Sequence, residues 1–494
     1  MFNNMREVMQ IKRLFLLLSA SILIFLLIVS IGCTTDPDKI YSCQSDSDCV
    51  PTNECHPMKC INKEYRTKIT FPRTCTEIFV CSAAYNPEDC LCINNKCINK
   101  NLDRSGCERE DDSNGFIDID SPFGAHGGAD ESGYSYKELY SELADLGINI
   151  KRVAGRETII WDKTDPDLDG NYDYDFFREL DYSKTNNIDL MVTLKSMNKK
   201  DQASCRTACK SNCVGIDCNC NSNPCDWEKY ENFLSDAINK HKSDIKYWQI
   251  ENEVSGSYYS GSAQDYAELL KRSYKIVKAN CPDCRVIIAG MPDYQPKSAS
   301  YYSDVLEALK NDPDCIRGCF DIFDLHTPIR GNSDRLEQAY GNTINLLSVY
   351  GFNKPVWSTE FGPLSYQGSE IDAELVKFYV IGFEVGFEKL FWRITECPAC
   401  IFENGKKTDN YYALKTVIDK LYGFDSVSNL DESQYKFIFS GKNPVYVLWC
   451  ISGTCPIPGE ISGTVVVTNH LGDKETKNTN HIKLNNSPIF VEEI

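Results

Sequence analysis

The chain has no surplus of positive charge to offer a nucleic acid. Across its 494 residues, 52 lysines and arginines stand against 71 aspartates and glutamates, a formal charge of −19. No basic stripe interleaved with aromatics interrupts that acidity, so phosphate backbones are repelled and nucleic acid is excluded as a partner. A glycine-rich phosphate turn is missing too. The stretch "SPFGAHGG" at 121–128 is not G-x-G-x-x-G, which argues against a doubly wound nucleotide-binding sheet. Residues 34–107 lack long apolar runs, so that segment cannot build a core of its own and needs staples. A zinc site would bring two Cys couples or histidine partners together, and the strand pattern described below keeps "CPDC" and "CPAC" apart. No metal or cofactor is expected.

What is present begins with a targeting signal. Arg6, Lys12 and Arg13 precede an apolar run from Leu14 to Gly32, which ends at Cys33. A basic flank followed by an apolar run means membrane targeting. The run approaches the ~20 residues that span a bilayer, which allows an uncleaved anchor. "SIGC" also resembles a bacterial or archaeal lipoprotein box, with Cys33 as the lipidated residue. Either outcome leaves the remainder tethered at the extracellular face of the membrane.

Cysteine usage agrees with an oxidising compartment. Of 25 cysteines, ten lie between Cys43 and Cys107 and six between Cys205 and Cys225. Four couples follow: Cys281 with Cys284, Cys315 with Cys319, Cys397 with Cys400, and Cys450 with Cys455. Even, local grouping of this kind is what disulfides produce.

Composition divides the chain into four parts. Residues 1–33 are the targeting or anchor segment, and 34–107 are a cysteine-rich disulfide module. Residues 115–424 alternate short apolar runs with helical patterns, and 430–494 are rich in alternating β-formers such as "GTVVVTN". In the third part, eight runs read as strands: 115–124, 148–154, 188–195, 245–253, 285–291, 320–326, 354–362 and 388–396. Between them lie segments such as "YAELLKRSYKIVKAN", with apolar residues at helical spacing. Eight strand–helix units in this length predict a closed, parallel (β/α)8 barrel. The disulfide module precedes it, and residues 430–494 after it resemble the small β-sandwich that often follows such barrels.

Strand ends face the active site of such a barrel. The polar and aromatic residues there are His126, Arg152, Lys195, Asn252 with Glu253, His326, Glu360 and Trp392. "NE" at Asn252–Glu253 ends the fourth strand, "TEFG" carries Glu360 at the end of the seventh, and "DLH" brings His326 to the end of the sixth. Arg152 ends the second strand and Trp392 lies on the eighth. This pattern resembles the retaining glycoside hydrolases of the large (β/α)8 clan that contains cellulases, mannanases and β-xylosidases. The resemblance implies that Glu253 is the acid/base and Glu360 the nucleophile. Retaining cleavage needs one carboxylic acid to protonate the leaving oxygen and one carboxylate to attack the anomeric carbon, ~5–5.5 Å apart. Glu253 is therefore expected to have a raised pKa and Glu360 to stay ionised.

Other roles follow by the same reasoning. Arg152 would hold the nucleophile charged, Asn252 would bond a sugar hydroxyl, and Trp392 would offer a face to the sugar ring. His326 would orient a carboxylate or hydroxyl, and His126 has a structural or a substrate role. The cysteine-rich insertion from Asn198 to Asp226 follows the third strand and would wall the cleft. "DPDLDG" at 165–170 imitates the start of a calcium loop, but its twelfth position is Phe176, so it reads as a solvated acidic turn. The expected activity is an extracellular retaining β-glycosidase, a monomer acting on a β-linked carbohydrate. The alternative is a catalytically inactive glycan-binding barrel, which would need neither Glu253 nor Glu360.

Overall fold

The computed structural model describes residues 42–51, 60–65, 90–93, 96–99, 121–153, 158–205, 221–256, 258–315, 318–327, 333–362 and 370–494. The expected anchor segment 1–33, with Cys33, lies outside the described residues. Among the described residues, no helix is long and apolar enough to cross a membrane. The chain divides into two units, Met1–Ser113 and Asn114–Ile494.

In the first unit, Cys49–Pro51 pairs antiparallel with Cys60–Asn62, and Cys90–Ile93 with Lys96–Asn99. Disulfides join Cys43 to Cys92, Cys49 to Cys97 and Cys60 to Cys90. The buried cluster here consists of Cys43, Cys49, Cys60, Cys90 and Cys97. Sulfur does what the missing apolar runs cannot.

The second unit opens with eight short parallel strands. They are β1 (Phe123–His126), β2 (Ile150–Arg152), β3 (Asp189–Lys195) and β4 (Ile245–Ile250), followed by β5, β6 (Phe323–His326), β7 (Val356–Phe361) and β8 (Lys389–Arg393). The strand β5 is split. Its first half, Arg285–Ile287, pairs with β4, and its second half, Met291–Pro292, pairs with β6. A parallel bridge from Ile287 to Ile322 closes the ring, and β8 pairs with β1. Seven of the sequence-predicted strands are present. Of the first, expected at 115–124, residues 115–120 lie outside the described residues, and the strand observed is Phe123–His126. A helix follows each of the eight.

Those helices end where local chemistry ends them. Ser135 caps the helix Tyr136–Leu146 by accepting from the Glu138 N–H, and Gly147 stops it in the left-handed region at φ 95°. Ser262 and Asp265 form the same box at the start of Ala263–Asn280.

Side-chain alternation then sorts the barrel. Ile150, Met191, Ile287, Ile322, Trp357 and Phe391 fill its lower interior beside Tyr247. Two residues further along the same strands come Arg152, Thr193, Asp324, Thr359 and Arg393, with Gln249 above Tyr247. All six are buried. A polar layer thus sits on an apolar plug, directly below the mouth.

The C-terminal β-domain is one six-stranded antiparallel sheet. Its strands are β9 (Ser426–Asp431), β10 (Gln434–Phe439), β11 (Lys442–Leu448), β12 (Thr464–Asn469), β13 (Lys474–Asn478) and β14 (Ile489–Glu493). Their order is β9-β10-β11-β14-β12-β13. One face, with Phe437, Phe439, Val445, Val447 and Phe490, joins the barrel's own core. The other, with Tyr446, Leu448, Val465 and Val491, packs against Ile457, Ile461, Ile482 and Leu484.

Candidate active site

The mouth is built first by the end of β4. Glu251 and Glu253 both adopt left-handed backbone, at φ 65° and 42°, a conformation non-glycine residues rarely take. Glu251 holds the turn. It is fully buried, and its carboxylate accepts from the Ser196 N–H at 2.6 Å, the Ser196 hydroxyl at 2.8 Å and Asn221 Nδ2 at 2.9 Å. With Glu251 fixed, Glu253 reaches the barrel mouth, where its Oε1 lies 2.8 Å from His326 Nδ1.

Glu360 reaches the same point by another device. The pairing of β7 with β8 shifts register between Ser358 and Phe361. Plain alternation would send Thr359 inward and Glu360 outward, and the irregularity lets both face the interior. Thr359 donates to Asp324 from its N–H and its hydroxyl, at 3.0 and 2.6 Å. Glu360 Oε1 accepts from Arg152 Nη1 at 2.6 Å, and Oε2 from Arg393 Nη2 at 3.3 Å. A carboxylate oxygen of Glu253, one of Glu360 and a ring nitrogen of His326 all lie within 4.8 Å of one another.

The electrostatics separate the groups. Burial by itself would raise the Glu360 carboxyl, but the charges of His326, His126, Arg152 and Arg393 outweigh it and hold it well below the usual carboxylate range. Burial works against a charged His326, yet Glu360 and Asp324 overcome it and push the imidazole up to about 10. His126 goes the other way. Burial, with help from the two arginines, keeps its ring well below its ordinary value.

Of the seven site residues expected from sequence, six converge. Arg152 bridges Glu360 to Asn252, donating from Nη2 to the side-chain oxygen Oδ1 of Asn252 at 2.6 Å. His126 Nδ1 lies 3.3 Å from Arg152 Nη1 and its Nε2 3.9 Å from Glu360 Oε1. Trp392 does not converge, and its expected role is corrected. Its ring is fully buried between Phe361, Phe378 and Tyr379, and its indole N–H donates to the Ala399 carbonyl at 2.7 Å. Alternation on β8 turns Leu390, Trp392 and Ile394 toward the helices and Phe391 and Arg393 inward. Arg393 is the side chain of that strand that reaches Glu360.

Gln249 and Asp324 were also missed. Gln249 Oε1 accepts from Arg152 Nη2 at 2.8 Å, and its Nε2 donates to Asp324 Oδ2 at 2.6 Å. Asp324 stands two residues before His326 on one strand, so its inward direction was legible. Gln249, uncharged within an aromatic run, gave no such signal.

The surroundings follow the sequence in part. Cys205 and Cys225 are joined at the base of the 198–226 insertion, and Asp201 accepts there from the N–H groups of Cys225 and Asp226. Residues 206–220, with the other cysteines of that wall, lie outside the described residues. Cys397 and Cys400 are joined after β8. Cys281–Cys284 and Cys315–Cys319 precede β5 and β6 at the opposite end. At the acidic turn, Lys200 and Lys229 donate to the carbonyls of Asp167 and Leu168, and the Asp165 carboxylate accepts from the N–H groups of Asp169 and Gly170.

No protein-family model matches this chain, and no curated protein matches it. Its structure is similar to that of a family 39 glycoside hydrolase from Bacteroides cellulosilyticus, at 15% identity and a TM-score of 0.59, covering 77% of this chain and 82% of the other. A glucosidase from Croceicoccus marinus matches at 12% identity and a TM-score of 0.54, covering 76% and 97%. A family 30 endoxylanase from Clostridium papyrosolvens matches at 13% and 0.51, covering 76% and 96%. The fold is a barrel shared with glycoside hydrolases. At such identities the likeness establishes the barrel, and the chemistry has to be argued from its mouth.

Proposed function

We propose that this chain is a retaining β-glycoside hydrolase that cleaves a β-linked oligo- or polysaccharide by double displacement. The observation that carries the reading is the pair Glu253 and Glu360, with oxygens within 4.8 Å of each other on separate strand ends. That separation suits a nucleophile and an acid working across one glycosidic bond, and is too short to hold a water between them as inversion requires. Glu360, kept ionised by Arg152 and Arg393, attacks the anomeric carbon. Glu253 protonates the departing oxygen and then takes a proton from the water that releases the sugar. Asn252, held by Arg152, presents its amide to a sugar hydroxyl. The mature protein works outside the cell, tethered through its N-terminal apolar run. The eight disulfides among the described residues support that compartment.

The test is hydrolysis of a panel of β-linked oligosaccharides, with the anomeric protons of the first-formed product followed by NMR. The reading expects at least one substrate to give a product of retained configuration. An inverted product refutes the double displacement. Binding without any hydrolysis would favour an inactive glycan-binding barrel.

A further inference from the structure

Beneath the mouth, the two carboxylates are connected by one buried chain of hydrogen bonds. It runs from Glu360 to Arg152 at 2.6 Å, from Arg152 to Gln249 at 2.8 Å, and from Gln249 to Asp324 at 2.6 Å. It continues from Asp324 Oδ2 to His326 Nε2 at 3.2 Å and from His326 Nδ1 to Glu253 Oε1 at 2.8 Å. Gln249, Asp324 and His326 are fully buried. Asp324 also receives two donors from Thr359, so its oxygens act as acceptors throughout. The imidazole Nε2 that faces it must therefore carry a hydrogen. That fixes the other side of the ring. Between Nδ1 and Glu253 Oε1 there is room for one proton, held either by the ring or by the carboxyl group.

We propose that the proton Glu253 delivers to the leaving group is shared with His326, and that Asp324 is the positioning residue that sets the imidazole tautomer for this sharing. The inference rests on the proposed glycosidase reading. In the first step, Glu360 forms a bond to the anomeric carbon as the bond from that carbon to the leaving oxygen breaks. The shared proton passes through Glu253 to that oxygen. Glu253 is left ionised, and His326 neutral with its Nδ1 lone pair turned toward it. Two acceptors then face each other, an arrangement satisfied by a proton donor such as the incoming water. Water attacks the anomeric carbon, its proton returns to the Glu253–His326 pair, and Glu360 departs as carboxylate.

The charges facing His326 act in the right sense. Glu253 faces it from the end of β4, Asp324 from its own strand, and Glu360 from β7 at 3.6 Å from Nδ1. The Thr359 hydroxyl lies 3.4 Å from Nε2, and His126 on β1 adds a weak repulsion whenever it is charged. Gly290 of the β5 segment brings no side chain. The Glu360 anion favours the proton on the ring before attack. Ester formation cancels that anion and lowers the ring's hold on the proton as the leaving group needs it.

The experiment compares wild type and Asp324→Asn on two substrates, one with a poor alkyl leaving group and one activated aryl glycoside. The expected loss in kcat/KM is about 10²-fold or more on the first, the usual size of a general-acid contribution. On the second, whose leaving group departs unprotonated, less than about tenfold is expected. The basic limb of the kcat/KM profile should fall by at least about one pH unit, since a negative charge beside the proton is removed. His326→Gln should show the same leaving-group dependence, and it carries the comparison if Asp324→Asn unfolds. An equal loss on both substrates, or an unmoved basic limb, overturns the inference while leaving the glycosidase reading standing. A wild-type chain that hydrolyses neither substrate overturns both.

Discussion

Arg393 takes a place that an aromatic side chain was expected to fill. It is buried, its Nη2 contacts Glu360, its Nε donates to the Gly362 carbonyl at 3.4 Å, and its Nη1 pairs with Glu396. Glu360 thus carries two guanidinium partners, one from β2 and one from β8. Each favours the ionised form, which is the form that attacks in the proposed mechanism. Removing one should raise the Glu360 pKa, so that activity is lost at a higher pH on the acid side. For Arg393→Met we expect the acid limb of kcat/KM to move up by about one unit, the size of a neighbouring charge. The pH profile measures it. An unmoved acid limb would mean that His326 and Arg152 keep Glu360 charged without Arg393.

The elements show how much of this was legible before the structure. Strand and helix periodicity gave seven units within their predicted runs and the first only by its end, at Phe123–His126, and the placement of Asn252–Glu253, Glu360, Arg152 and His326 at strand ends followed from it. The error at β8 was one of parity. "KLFWRI" alternates Lys389, Phe391 and Arg393 against Leu390, Trp392 and Ile394, and counting by twos would have chosen Arg393. The irregularity in β7 was not legible, because it arises from pairing with β6 and β8 together and not from any residue of β7 itself. Nor was the break in β5. Between its two halves lies Gly290, where an added Cβ would come within 2.0 Å of His326 Nε2. The imidazole occupies that space, and any larger residue would displace it from Asp324 and Glu253. Gly290→Ala should therefore cut kcat/KM on a poor leaving group by about 10²-fold or more, the share of general-acid catalysis. Kinetics beside a far-UV spectrum test it. A variant with normal activity would show that His326 does not need its observed position.

At the scale of the whole molecule, the C-terminal sheet is part of the barrel's core. Phe383 of the helix Ile371–Val385 meets Phe424 at 5.1 Å between ring centroids, and Phe424 meets Phe437 of β10 at 5.1 Å. Polar ties surround that seam. Lys377 donates to Asn486, His470 Nε2 lies 3.0 Å from Asp372 Oδ2, and Lys420 pairs with Glu492. The helix in question connects β7 to β8, the strands that carry Glu360 and Arg393. Each large apolar side chain uncovered there forfeits about 1.5–3 kcal/mol. A chain ending at Gly423 should consequently be insoluble or melt well below the full-length protein, as calorimetry would show. The cysteine-rich unit should behave differently. Its buried cluster is made of half-cystines, so reduction should abolish its protection from proteolysis while the barrel, whose core is apolar, stays folded. A soluble, normally melting truncation would show that the sheet is an appended module.

The most direct test of the account is the configuration of the sugar azide formed by two variants. With Glu253→Ala, an activated aryl glycoside should still load Glu360, and azide should then attack the glycosyl-enzyme to give a product of retained configuration. With Glu360→Ala, no covalent intermediate forms, and azide entering the vacated space should attack the substrate directly to give the inverted product. Swapped configurations would exchange the two roles. Full activity in both variants would contradict the account altogether.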